Sequence, residues 1–195
     1  MDRNEAAAKA VRQDRKVVML RPHLRDIPQH AFGPGFGVRP LRDGEGPIWT
    51  AIQRDAEPVL EIADDRFDRE FGHDLPATRT RCFFVTAPDG REVGTISAWY
   101  TTDAEDRVWG LIHWVAVRPA FQGRGLAKAA MTHAMNRLAA WHDRARLTTS
   151  TGRLGAIKVY LDFGFRPDLE QDEAREAWRL VRDALGHPTL EEFSL

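Results

Sequence analysis

Val115-Ala116-Val117-Arg118-Pro119-Ala120-Phe121-Gln122-Gly123-Arg124-Gly125-Leu126-Ala127 joins a strand pattern to a helix pattern through a pair of glycines. An apolar run ends at Arg118-Pro119, crosses a glycine pair and enters a helical pattern over about 124–142. The stripe of that helix is Leu126, Ala130, Ala134, Leu138 and Trp141. A helix that opens in this way leaves its first backbone N–H groups without intrahelical partners. Together with the helix dipole they form an anion site that needs no charged side chain. Glycine at 123 and 125 lets the backbone approach a phosphate where a Cβ would intrude, and Arg124 can add charge. The spacing is neither G-x-x-x-x-G-K-[ST] nor G-x-G-x-x-G. A phosphorylated cofactor is the expected ligand.

On the N-terminal side, Cys82–Ala87, Glu92–Thr101 and Val108–Val117 are rich in β-branched and aromatic residues. Pro88-Asp89-Gly90 joins the first two as a hairpin, and Asp103–Asp106 turns into the third. Leu147–Thr151 is a short strand. Leu154, Ile157 and Leu161 mark a short helix stopped by Gly164, and Ala174, Ala177, Trp178, Val181 and Leu185 mark a last helix at about 171–185. Upstream, residues 1–16 read as a polar helix capped by Asn4, 17–20 as a short extended piece, and 21–40 as a turn-rich connector. A first strand runs from Phe36 and Val38 to about Leu41. Pro47 opens a helix bearing Trp49 and Ile52, and Pro58 breaks it. Beyond Pro58, Leu60, Ala63, Phe67 and Phe71 predict one amphipathic helix with an acidic outer face. The fold class is therefore α/β (α+β), a single sheet with helices packed on it.

The 195 residues suffice to bury about 70% of the unfolded surface in one core. A net charge of −1 argues against general nucleic-acid binding, and no apolar run is long enough to span a membrane or serve as an export signal. The expected location is cytoplasmic. One thiol, Cys82, excludes an internal disulfide framework and reads as a buried strand residue. The seven histidines show no metal-ligand spacing, so no metal is expected. Arginine outnumbers lysine 24 to 4 along the whole chain, which is the mark of a coding bias.

A second segment sits about thirty residues after the glycine loop: Ala156-Ile157-Lys158-Val159-Tyr160-Leu161-Asp162-Phe163-Gly164-Phe165. Gln122–Ala127 resembles the Q/R-x-x-G-x-G/A signature of the GCN5-related N-acetyltransferases, and the second segment resembles the A-I-x-x-Y-x-x-x-G-F motif of the same family. The resemblance is specific over about 108–166 and agrees in layout from 36 onward. It implies a mixed, largely antiparallel sheet with strands splayed between 108–117 and 147–151, and acyl-coenzyme A in the gap. An acyl-CoA N-acyltransferase domain is expected over 36–195, with its motif-bearing core at 108–166, although the resemblance does not account for 1–35 or 170–195. Residues 1–35 are then an N-terminal extension, and 170–195 a C-terminal helix and tail. By the same resemblance Val115 and Val117 pair through their backbone with the pantetheine arm. Gln122, Gly123, Arg124, Gly125, Leu126 and Ala127 hold the pyrophosphate, and Tyr160 protonates the departing thiolate. The expected cosubstrate is acetyl-CoA, the expected partner is a small-molecule or peptide amine, and a homodimer is one arrangement the family allows.

The chemistry sets its own demands. An alkylamine has a pKa of about 10, so a base or a water chain must take a proton. The tetrahedral intermediate needs N–H donors at its oxyanion, which the strand near Val115 can supply. The thiolate, with a pKa of about 8.5, needs only moderate help to leave. The strand carboxylate that often serves as base in this family is replaced here by Leu111. His113 lies two residues later and, on a period of two, shares a face with Leu111, Val115 and Val117. It is the candidate base, with Glu70, Asp103 or water as alternatives, and the competing reading is a packed histidine between Ile112 and Trp114. Arg153 stands where the second motif usually has asparagine and could reach a coenzyme A phosphate. The acidic block Glu57–Asp74 is either a solvated helix face or a wall that attracts a cationic amine. Trp99 and Tyr100 either line an acceptor pocket or pack. Two other classes remain open: a non-catalytic acyl-CoA sensing module, and an interaction unit whose glycine turn merely caps a helix.

Overall fold

The glycine-rich connector and the hairpin signals become two compact units in a computed structural model that describes residues 2–57, 61–170 and 172–195. Gln29–His142 forms one unit, and Met1–Pro28 with Asp143–Leu195 forms the other. In the first, β2 (Gly37–Pro40), β3 (Cys82–Thr86), β4 (Glu92–Thr102) and β5 (Val108–Val117) are antiparallel neighbours in that order. One face carries α2 (Gly46–Ala56), α3 (Arg66–Phe71) and α4 (Leu75–Arg81), closed over Trp49, Phe67, Phe71, Phe84 and Trp99. A fourth helix, α5 (Leu126–Ala139), packs along β4 and β5 through Leu126, Ala130, Ala134 and Leu138, as its stripe requires.

Two expectations differ here. The amphipathic helix beyond Pro58 is only α3, because residues 61–65 are not helical and Arg54 ties them down. Its Nε donates to Ile62 O at 2.7 Å and its guanidinium pairs with Asp64 at 2.6 Å. Ile62 is therefore buried and Ala63 exposed, while Pro58 and Leu60 lie outside the described residues. The acidic block keeps a solvated face, with Asp64 and Asp65 in exposed ion pairs, while Glu70 pairs with Arg66 and Asp74 accepts from Tyr100. Finally, α5 stops at Ala139, so Trp141 leaves its stripe and lies 38% exposed between the guanidinium groups of Arg81 and Arg137.

The second unit pairs β6 (Ala145–Ser150), β1 (Lys16–Arg21) and β7 (Arg166–Pro167) antiparallel, with β1 central. Its helices are α1 (Arg3–Gln13), α6 (Leu154–Asp162), α7 (Asp172–Leu185) and α8 (Pro188–Glu191). Ala6 and Ala10 are fully buried where α1 meets α7. Asp2, not Asn4, caps α1 by accepting from Glu5 N at 2.8 Å. The expected start of the last helix, Gln171, lies outside the described residues. Arg21 is buried although charged. Its guanidinium donates to the carbonyls of Phe163, His23, Arg25 and Asp26, which gives those four acceptors a donor in that turn-rich corner. No helix of the described residues is long and apolar enough to cross a membrane.

Candidate functional site

β5 is not a regular strand. Thr95 faces Ala116 but Ser97 faces His113, so one extra residue is accommodated around Trp114, whose φ is +50°. A bulky side chain in the left-handed region costs on the order of 1–3 kcal/mol and persists only where its surroundings impose it. Here they do. Thr95 Oγ1 donates to Trp114 O at 2.8 Å. Gln53 Nε2, from α2, donates to Thr95 Oγ1 at 2.6 Å and to Trp114 O at 3.3 Å.

The bulge corrects the period-two argument for His113. Leu111, Ala116 and His113 face the α2–α3 side, while Val117, opposite Gly94, turns to the other face. His113 thus does not share a face with Val117. Nor is it merely packed between its neighbours: its Nε2 lies 3.0 Å from Glu70 Oε2, with the rings of Phe71 and Trp114 beside it. Hydrogen bonding to His113, aided by Arg66 at 3.5 Å, holds the Glu70 carboxyl below its usual range against the opposing effect of burial. An anionic Glu70 only accepts, so it fixes the imidazole proton on Nε2. Asp103, the other carboxylate considered, is occupied in its own turn. It accepts from Trp109 Nε1 at 2.7 Å and from Arg107 N at 2.9 Å, and these bonds outweigh burial and hold its pKa well below the ordinary value.

After β5 the chain is anchored before it is released. Arg118 N donates to Val93 O at 2.8 Å, and its guanidinium pairs with Asp55. A 3-10 turn, Pro119–Phe121, follows, and Gln122 Nε2 donates back to Val117 O at 2.9 Å. Gly123 and Gly125 then take φ of +73° and +76°, which L-residues rarely adopt, and nothing stands within 4 Å of where a Cβ would project. The glycines therefore serve the backbone conformation and leave the approach to the loop open. No side chain caps α5, and its ladder begins with Ala129 N donating to Gly125 O at 3.1 Å, so the Leu126 and Ala127 amides lie ahead of it. Arg124 is exposed, its guanidinium 5.6 Å from the centre of the Phe121 ring. An open, positively polarised backbone turn with an exposed arginine fits a pyrophosphate.

Thus His113, Val115, Val117 and Gln122–Ala127 lie along one continuous segment of the first unit. Tyr160 and Arg153 belong to the second. Tyr160, on α6, is 8% exposed, its ring edge-on to Phe165 at 6.3 Å. Burial pushes its phenol up to about 12, with Arg153 opposing. Arg153 is the exposed N-cap of α6. Sequence reasoning missed Gln53 and Thr95. The only signal for them was a glutamine among the apolar residues of a buried helix stripe. Among the described residues no group of three or more His, Cys, Asp or Glu side chains could hold a metal ion.

The model of the acetyltransferase (GNAT) family matches residues 47–165, more than half of the chain. Among solved structures, a GCN5-related N-acetyltransferase from Sphaerobacter thermophilus is 20% identical with a TM-score of 0.63, over 83% of this chain and 53% of that one. A GNAT-family acetyltransferase from Colwellia psychrerythraea is 10% identical with a TM-score of 0.61, over 79% of this chain and 53% of that one. A NatC complex bound to Gag peptide and CoA is 17% identical with a TM-score of 0.53, over 65% of this chain and 82% of that one. The chain spans about half the length of the first structures it matches. No curated protein matches it. These likenesses show the fold, and the family match shows the membership: the chain belongs to the GNAT acetyltransferase family.

Proposed function

We propose that the chain is an acetyl-CoA-dependent N-acetyltransferase acting by direct attack of an amine in a ternary complex. The observation that carries this reading is the bulged strand followed, after one 3-10 turn, by an open glycine turn at the start of α5. The Gly123–Ala127 backbone, with Arg124, holds the pyrophosphate. Val115 and Val117 meet the pantetheine arm through their backbone, and Gln122, bonded to Val117 O, braces the turn between these two contacts. Arg153 is assigned to a further phosphate by position in the second motif. The acetyl thioester supplies the activated acyl carbon.

An ammonium acceptor first sheds a proton to solvent. His113, oriented by Glu70, takes the second proton that the nitrogen gives up as the N–C bond forms. The Val115 amide, in the bulge, donates to the carbonyl oxygen as it gains charge. The C–S bond breaks with its electron pair going to sulfur, where the Tyr160 hydroxyl donates. A phenol held at about 12 stays protonated at neutral pH, yet it is a poor full donor to a thiolate of about 8.5. Tyr160 therefore acts as a hydrogen-bond donor, and solvent completes the protonation.

Acetyl-CoA at a hundred times its Kd should add about 2.7 kcal/mol of stability, read as a rise in Tm. Gly125→Val, which forces a β-branched residue into a φ of +76°, should lose that rise. The absence of any rise in the wild type would remove the reading. Tyr160→Phe should lower kcat about tenfold, the size of one hydrogen bond of about 1.4 kcal/mol, and leave KM for acetyl-CoA within about twofold. An unchanged kcat would take Tyr160 out of the reaction. Thiol release across a panel of amines finds the acceptor, and binding without release from any amine would favour a sensing module.

A further inference from the structure

Gln53 and Thr95 are buried polar side chains at 4% and 1% exposure, and neither belongs to the loop or the acid–base groups. An apolar residue at 53 would suit the α2 stripe beside Trp49 and Ile52, so the amide needs a reason to be there. Its reason is the Trp114 carbonyl. The bulge takes Trp114 and Val115 out of the pairing with β4, since neither has a partner in that ladder. The Trp114 carbonyl would then be an unpaired acceptor. Instead it accepts from Thr95 Oγ1 at 2.8 Å and from Gln53 Nε2 at 3.3 Å. Gln53 also donates to Thr95 Oγ1 at 2.6 Å, which commits the hydroxyl proton to Trp114.

The carbonyl of Trp114 and the N–H of Val115 belong to one trans peptide plane and point in opposite senses. Pinning the carbonyl toward Thr95 and Gln53 therefore aims the Val115 N–H away from them. We propose that Gln53 and Thr95 are positioning residues that hold the strained Trp114 bulge so that the Val115 amide is aimed at the acyl carbonyl of the donor. The assignment rests on the acetyltransferase reading above. It adds that the electrophile's donor is set from α2 and β4, not by β5 alone.

The test uses the intact chain with acetyl-CoA labelled with carbon-13 at the acetyl carbonyl, read by difference infrared spectroscopy. In the wild type the bound carbonyl stretch should lie below its solution frequency. Thr95→Val and Gln53→Met should each return it toward the solution value and lower kcat about 10- to 100-fold. The Kd of free CoA, which has no acyl carbonyl, should stay within about twofold. Thr95→Ser keeps the hydroxyl and should restore the wild-type stretch and rate, which a merely structural role for the methyl group would not do. A wild-type stretch at the solution frequency overturns the proposal, as does an unmoved stretch in either folded variant. If one variant does not fold, the other decides. Failure of the wild type to bind acetyl-CoA at all would instead retire the functional reading itself.

Discussion

Phe71→Ala should lower the unfolding free energy by about 3–5 kcal/mol, the range for deleting a fully buried aromatic ring. Phe71 has no exposed surface, and its ring lies 5.6 Å from Trp49, 5.3 Å from Phe67 and 5.0 Å from Trp99, centre to centre. The edge-on contacts with Trp49 and Trp99 add to the loss of apolar area, because they depend on ring geometry that alanine cannot mimic. The void left behind would also border the His113 ring, 5.9 Å away, and the residue that orients His113 is the preceding one, Glu70. Stability and turnover should therefore fall together, whereas Phe67→Leu, farther along the cluster, should affect mainly stability. Urea unfolding with paired rate measurements checks this. A loss under about 1 kcal/mol for Phe71→Ala would mean that the aromatic cluster does not close as described.

The second large effect belongs to the other unit. Arg21→Met should cost about 3 kcal/mol or more, because it leaves several carbonyls without their donor in a buried corner. Burial already pulls the Arg21 guanidinium below its ordinary pKa, with Asp26 opposing, so the charge itself gains little there. The fork geometry is what the corner uses. Lysine carries one compact ammonium that cannot reach the Phe163 carbonyl and the 23–26 loop at once, so Arg21→Lys should recover less than half of the loss. Phe163 ends the helix that holds Tyr160, and Gly164 after it sits at φ +77° with Arg21 Nη1 only 3.2 Å from where a Cβ would be. Hydrogen exchange at the Phe165 amide, which bonds to Tyr160 O, should accelerate in both variants. Arg21→Lys matching wild type in stability would show that charge, not the fork, matters.

Much of this is legible in the sequence. The strand ending at Val117, the glycine turn and the helix after it are local, and each carries its own chemistry: β-branching, freedom of φ, and a 3.6-residue stripe. The Gly164 stop was legible for the same reason. The Trp114 bulge was not. One extra residue changes no composition, and a tryptophan at positive φ is the reverse of the usual Gly or Asn signal. Beyond the bulge a period of two no longer holds, which is why His113 and Val117 take different faces. The helix assigned beyond Pro58 failed because Ala63, Phe67 and Phe71 mimic a stripe that the side chain of Arg54 interrupts. The short helix at Leu75–Arg81 had a readable start, Asp74 before Leu75-Pro76, which the stronger stripe upstream masked. The His113–Glu70 pair joins residues far apart in the chain, and no local pattern announces it.

The order of synthesis gives the discontinuous unit a particular history. β1 is complete once Arg21 is made, yet its partner β6 begins only at Ala145. At about 5–20 residues per second a ribosome needs on the order of 6–25 s to deliver that partner. In the interval every residue of Gln29–His142 is produced, with all of that unit's own strand pairings in hand. The apolar Val17 and Met19, buried in the finished unit, meanwhile lack their β6 partners. β1 is thus a β-forming segment whose partner strand is made only after the whole of Gln29–His142.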